Sequence, residues 1–365
     1  MSDHLRFIDI GCIATLEDPD GWKYRAVETI ERADSIFTDG TDEETPTAQE
    51  LMSNRRSQTD SAKQWILALS GPDDTVQSSA GWANVQFPLD ADLEKANIYV
   101  CVHPENRRHG IGSALLDWCE DRAREAGRTE VFMDAGYGSA DDHEPYLSTA
   151  EGGQVPQDAP CVSFPQAKGY VVDHAARRSV LDLPMAPGLF DTLLSDALPY
   201  TAGYRLHTWE NEIPQEWMDS FARLREAFSR DIPQGQTTWD EETWDVDRVQ
   251  RMLDEIHDQG RTVLFTAAEH IATSQLVGFT EFRWPDSKPC VSVDQWLTIV
   301  SGGHRGHRLG MWMKLINLAA LVERNPSVRN IHTDNAQENS PMLNINIAMG
   351  FHPCGGYVLT RKTLL

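Results

Sequence analysis

Apolar and polar positions along the chain fall into blocks whose period switches between that of a helix and that of a strand. His4 to Ile10 alternates weakly and predicts a first strand, while Asp20 to Phe37 carries the spacing of an amphipathic helix. Thr38 to Asp60 is polar and turn-rich, a loop with a short helix. Trp65 to Leu69 and Val76 to Phe87 read as strands joined by the turn Gly71-Pro72-Asp73-Asp74, a hairpin. Ile98 to Val102 is a buried strand, Ile111 to Arg124 a helix and Thr129 to Met133 another strand. Gly136 to Pro160 has no periodicity and is too long for an ordinary connection, so it is expected to be a lid or a disordered insert. A short glycine-capped helix, Phe164 to Gly169, precedes strand material from Tyr170 to Leu183.

Pro184 to Gly203 is an apolar stretch bracketed by prolines and predicts a helical linker. Beyond it the order starts again. Tyr204 to Trp209 is a strand, and Pro214 to Ser229 and Asp247 to Gln259 are amphipathic helices. Thr262 to Ala268 and Gln275 to Trp284 form a second hairpin, followed by the strand Val291 to Val300 and the helix Leu309 to Glu323. Val328 to Thr333 is a strand, Met342 to Gly350 a capped helix, and Phe351 to Lys362 closing strand material. Landmarks coincide between the halves: Val102 precedes Arg107 by the same five residues that separate Val300 from Arg305. Gly112 answers to Gly310, and Gly169-Tyr170 to Gly350-Phe351. A repeat of a whole α+β unit is the mark of a duplicated domain. The expected division is 1–185, a linker 186–203, and 204–365.

The richest local signal is the turn from Val102 to Gly112. A strand ends at Pro104, passes through Arg107-Arg108-His109-Gly110, and opens a helix at Ile111. Such a loop gathers unpaired N–H groups and the positive end of the helix dipole in one place, and glycines let a phosphate reach the backbone. The residues predict a pyrophosphate cradle. Arg-x-x-Gly-x-Gly is neither the Rossmann nor the Walker pattern. It resembles the coenzyme A loop of the GNAT superfamily of N-acyltransferases. The second half resembles the C-terminal unit of actinobacterial tandem GNAT proteins through His304 to Gly310 and Asn335 to Met342.

That resemblance implies two tandem α+β domains, each a mixed, centrally splayed β-sheet flanked by helices. It also implies acetyl-CoA as co-substrate. The implied donor contacts in the first copy are Val100, Cys101, Val102, Arg107, Arg108, His109, Gly110, Ile111, Gly112 and Ser113. In the second they are Val300, Arg305, Arg308, Gly310, Asn335 and Asn339. Arg308 stands where the first copy has Gly110, which predicts a degenerate second loop. Many family members carry a tyrosine four residues before the late glycine as the acid that protonates the departing thiolate. Those places hold Pro165 and Asn346, leaving Tyr137, Tyr146 or water for that task.

Composition narrows the setting. The chain has 365 residues, enough for two cores, and a net charge of −24, which disfavours nucleic acid or an anionic membrane as partner. The acidic surface either serves solubility or concentrates a cationic, amine-bearing acceptor. Six scattered cysteines without metal spacing, and an N-terminus unlike a signal peptide, predict reduced thiols in the cytoplasm. The loop histidines His103, His109, His304 and His307 lack a third ligand, so no metal is expected. A homodimer is compatible with the sequence.

The implied reaction is direct attack of a primary amine of a small molecule on acetyl-CoA, as in secondary metabolism, detoxification or self-resistance. An alkylammonium is about one part in a thousand free base at neutral pH, a barrier of about 4–5 kcal/mol. A base is therefore required. Glu281 and Asp294, acids inside apolar runs, are the candidates in the second copy; Asp134 and Tyr137 are those in the first. Trp239, Trp244 and Trp284 could line a cation-binding pocket. The alternatives are another acyl donor on the same fold, such as a longer acyl-CoA or an aminoacyl-tRNA, and a non-catalytic acyl-CoA-binding module.

Overall fold

A computed structural model describes residues 5–138, 146–149, 153–231, 237–286 and 289–364. The first stretch runs β1 (Leu5–Asp9), α1 (Gly21–Asp39), α2 (Ala48–Arg56), β2 (Ser61–Ser70), β3 (Ser79–Pro88), β4 (Lys95–Val102), α3 (Ile111–Glu125) and β5 (Glu130–Tyr137). Then come β6 (Tyr146–Ser148), β7 (Gln154–Pro156), α4 (Pro160–Ala167), β8 (Val171–Asp182) and α5 (Leu189–Ala197). The order resumes with β9 (Tyr204–Glu210), α6 (Gln215–Asp231), α7 (Val246–Asp258), β10 (Arg261–His270), β11 (Gln275–Pro285) and β12 (Ser292–Val300). It closes with α8 (Leu309–Arg324), β13 (Asn330–Ala336), α9 (Ser340–Met349) and β14 (His352–Thr363).

Two compact units result, and neither is a contiguous segment. The first comprises Met1–Ala175, Gly235–Asp240 and Gly355–Leu365; the second comprises Ala176–Gln234 and Glu241–Cys354. In the first, the strand order is β1-β2-β3-β4-β5-β14, and β14 pairs antiparallel with β5 from Gly356↔Tyr137 to Thr363↔Glu130. In the second it is β8-β13-β12-β11-β10-β9, with β8 antiparallel to β13 from Asp182↔Asn330 to Ala176↔Ala336. Each half of the chain thus lends a strand to the other half's unit. The contiguous division into 1–185 and 204–365 does not express this exchange, because periodicity locates a strand without naming its partner.

Each sheet has a helical layer on both faces. In the first unit α1 and α2 cover one face through Tyr24, Val27 and Ile30, packed on Trp65, Leu67 and Trp82. Full burial of one such side chain stabilises by about 1.5–3 kcal/mol. α3 covers the other face with Ile111, Leu115, Leu116 and Cys119 against Ile98, Val131 and Met133. In the second unit α6 and α7 pack Phe221, Val249 and Leu253 on Phe265 and Phe279. Opposite them α8 sets Met311, Leu315 and Leu318 against Val293 and Ile331.

Several boundaries differ from the periodicity, three of them instructively. Val76–Ser78 form a single 3₁₀ turn, capped by the Thr75 hydroxyl, before β3 begins at Ser79. α4 starts at Pro160, four residues early, because a proline at the first helical turn lacks only a donor that would be orphaned anyway. Within the predicted insert, β5 continues to Tyr137 and β6 pairs with β7, tied by Gly153 N–H to Thr149 Oγ1 at 2.9 Å. Residues 139–145 and 150–152 of that insert lie outside the described residues.

Candidate functional site

In the first unit β4 runs parallel to β5 only from Lys95↔Glu130 to Ile98↔Met133; beyond Ile98 the two strands part. The His103 N–H donates to Ala80 O on β3. By antiparallel alternation, His103, Cys101 and Tyr99 therefore spend their backbone groups on β3. Val100 and Val102 turn theirs toward the gap. The Val102 carbonyl accepts from Arg107 Nε at 3.1 Å, and the Val100 amide faces the opening with no strand residue opposite.

The loop then folds through two left-handed residues, Arg108 (φ 64°) and Gly110 (φ 84°), and Gly110 begins α3 without any side-chain cap. Consecutive N–H groups in such a turn converge into an anion-binding concavity. Leaving aside the adjoining chain, no described atom lies within 4 Å of where a Gly110 Cβ would stand, so the concavity is open at that point. At Gly112, by contrast, an added Cβ would stand 3.5 Å from Val102 Cγ2 and 3.6 Å from the Phe164 ring of α4, in ordinary contact with both. Arg107, expected among the phosphate donors, is turned back. It staples the loop to Val102 and pairs with Asp34 of α1, over the Phe37 ring.

The second unit repeats the geometry. β12 and β13 pair from Ser292↔Asn330 to Asp294↔His332 and then diverge. Ser301 N–H donates to Val277 O, so Thr298 and Val300 face the gap, and Arg305 Nε donates to Val300 O at 3.2 Å. The two left-handed positions recur at Gly306 (φ 85°) and Arg308 (φ 53°). Glycine and arginine have exchanged places, yet the backbone path is kept. An arginine there costs roughly 1–2 kcal/mol. Its guanidinium leaves the concavity and lies 5.2 Å from the centre of the Tyr200 ring. β12 also carries a bulge at Trp296, where Glu281↔Leu297 is followed by Phe282↔Gln295; β4 is regular from Gly81↔Val102 to Gln86↔Asn97.

The acids singled out in the sequence are mostly closed in. Glu281 is 0% exposed, with Oε1 2.8 Å from Arg283 and 3.8 Å from Arg225. Asp294 sits in the paired root of the sheet and accepts from Arg261 at 2.5 Å. Tyr137 is buried with Val155, Val162 and Val358, on the same face of β5 as Met133. Asn339 caps α9, accepting from Met342 N–H at 3.3 Å. Trp239 packs on Phe132 at 4.8 Å, Trp244 has Arg225 and Arg248 on its faces, and Trp284 is core.

Two acids do face the gaps. Asp134 follows Met133, the last residue of β5 paired with β4, and points to the α1 side; Asp334 holds the matching place on β13. Each keeps solvent along one side while protein crowds the others. That desolvation raises the Asp134 carboxyl and takes Asp334 up to about 6, against the opposing pull of Arg178 and with a smaller push from Asp294. The residual solvent contact limits both shifts.

Glu31 on α1 is a third, unforeseen acid. It is buried, takes Trp82 Nε1 at 2.6 Å and the Tyr99 hydroxyl at 3.0 Å, and burial raises its pKa. Its sequence signal was position: it stands on the stripe Tyr24, Val27 and Ile30 where an apolar residue belongs. Among the described residues no group of three or more His, Cys, Asp or Glu could hold a metal, and no helix is long and apolar enough to cross a membrane. None of the six cysteines forms a disulfide, and Cys101, Cys119 and Cys290 are buried.

Residues 30–143, which include α3, the loop and the splay, match the acetyltransferase (GNAT) family model. No curated protein sequence matches the chain. Among solved structures, a tandem GNAT protein from the clavulanic acid biosynthesis pathway is 24% identical, covering 99% of this chain and 98% of that one, with a TM-score of 0.73. A GCN5-related N-acetyltransferase from Sphaerobacter thermophilus is 15% identical over 98% and 95%, TM-score 0.61. A putative acetyltransferase from Pyrococcus horikoshii is 13% identical over 100% and 90%, TM-score 0.51. Residues 30–143 thus resemble a GNAT acetyltransferase domain, and the whole chain has the tandem GNAT fold.

Proposed function

We propose, from the premise of a tandem GNAT fold, that the protein transfers an acetyl group from acetyl-CoA to a primary amine of a small molecule. One observation carries the reading: in the first unit the strands part immediately before an open, uncapped cradle, so backbone donors face both ends of an extended ligand. The loop around Gly110 would take the pyrophosphate, and the gap beside Val100 the acyl end. Acetyl-CoA supplies a thioester carbonyl there. The Val100 N–H donates to that oxygen as negative charge develops; losing one such preorganised donor typically costs about 2.7–4 kcal/mol.

Asp134, on the opposite wall, is the base for the acceptor's ammonium. A carboxyl raised by desolvation accepts a proton more readily than an ordinary aspartate, which lessens the mismatch with an amine near 10.4. Pro165 cannot return a proton to the departing thiolate, and Tyr137 is buried within its own cluster, so water at the gap serves that step. The net charge of −24 favours accumulation of a cationic acceptor. A thiol-release assay across small primary amines, with calorimetry for acetyl-CoA, a longer acyl-CoA and CoA, tests the proposal. Amine-dependent release of CoA supports it; tight binding of acyl-CoA with no release under any amine would leave a binding module instead.

A further inference from the structure

From Leu309 to Val322 α8 is apolar apart from Asn317 and a single charge, Lys314, and that lysine is 1% exposed. Its Nζ donates to Asn346 Oδ1 on α9 at 2.9 Å and lies 5.7 Å from the centre of the Phe351 ring. Among the described residues no carboxylate is paired with it. Asn346 in turn donates from Nδ2 to Asn335 Oδ1 on β13 at 2.6 Å. Asn335 is three residues beyond His332, where β13 has left β12, and on the α8 side of the sheet. In the first unit, counting from Gly112 and Gly169, the matching places hold Leu116 and Pro165, both buried.

The chemistry fixes the direction of this chain. While protonated, the ammonium can only donate, so Asn346 then presents its oxygen to Lys314 and its NH₂ to Asn335. Asn335 must then present its own oxygen to Asn346, which leaves its NH₂ for whatever lies in the gap. A buried cation held by a neutral amide is unfavourable for folding. Burial accordingly pulls the Lys314 ammonium down to about 7. A methionine would fill the space without that penalty, so stability does not account for the lysine.

We propose that Lys314, acting through Asn346, is a positioning residue of the second unit, which locks Asn335 as a hydrogen-bond donor to a carbonyl oxygen of an amide- or thioester-bearing ligand in that unit's gap. The inference rests on the acyl-CoA reading and extends it: the second unit is a binding site in its own right, and its loop is not a relic.

Calorimetry with CoA and acetyl-CoA, alongside thermal melts, tests this in a Gly110→Trp protein, whose first cradle is filled. The expected result is one remaining site, whose Kd rises at least tenfold on Lys314→Met while Tm rises. Asn335→Asp, which replaces the donor by an acceptor, should weaken binding as much with little change in Tm. A Kd within twofold of the parent for both variants overturns the inference, as does binding that falls only in step with a lowered Tm. If Gly110→Trp alone removes all binding that the wild type shows, the inference fails while the acyl-CoA reading survives in the first unit. A wild type that binds neither ligand overturns both.

Discussion

Single residues carry the chemistry through their surroundings rather than their type. Lys314 is charged in the unfolded chain up to about pH 10.5 but only to about pH 7 in the fold. Between those limits the unfolded state binds more protons, so this group makes stability rise with pH. Urea titrations should therefore show wild type gaining on Lys314→Met by about 1 kcal/mol per pH unit above roughly pH 7, with the difference flattening as the pH falls well below it. A flat difference would place the ammonium's pKa outside that window. Asp134 offers a kinetic counterpart. Its raised carboxyl predicts that turnover falls as the medium turns acidic and that Asp134→Asn lowers kcat about 10²–10⁴-fold and removes that acid limb. An unchanged profile would move the base elsewhere, with Asp334 tested next through its limb near pH 6.

At the scale of elements, the strand–loop–helix passage explains why the two copies differ so much in sequence and so little in path. Both loops need left-handed backbone at two positions, and each copy spends its one glycine at a different one. Reading Arg308 as damage follows from counting glycines. The backbone shows instead that the second loop tolerates arginine where the first has Gly110, with the guanidinium parked on Tyr200. Gly110→Trp is a sharp test because there is room for a side chain around that position but the space is the cradle itself. The variant should fold, losing roughly 1–2 kcal/mol to the left-handed backbone, and acetyl-CoA binding to the first unit should vanish. Retained binding there would contradict the cradle.

At the scale of the whole molecule, the strand exchange makes the halves interdependent. A fragment ending at residue 203 lacks the Gly356–Thr363 stretch that pairs with β5, and its sheet would end on an unpaired edge. Expressed alone it should be insoluble or molten, and co-expression with 204–365 should restore a soluble complex; a monomeric, cooperatively melting fragment would refute this. The chain's own residues determined the local elements, the duplication and the cradle, because periods of two and 3.6, capping glycines and turn residues act over a few positions. Tertiary structure alone decided which acids face a gap, that Glu281 is sealed among arginines while Asp334 is open, and that the last strand closes the first unit. Those outcomes depend on which strands become neighbours, and pairing across more than two hundred residues leaves no local trace in the pattern of side chains.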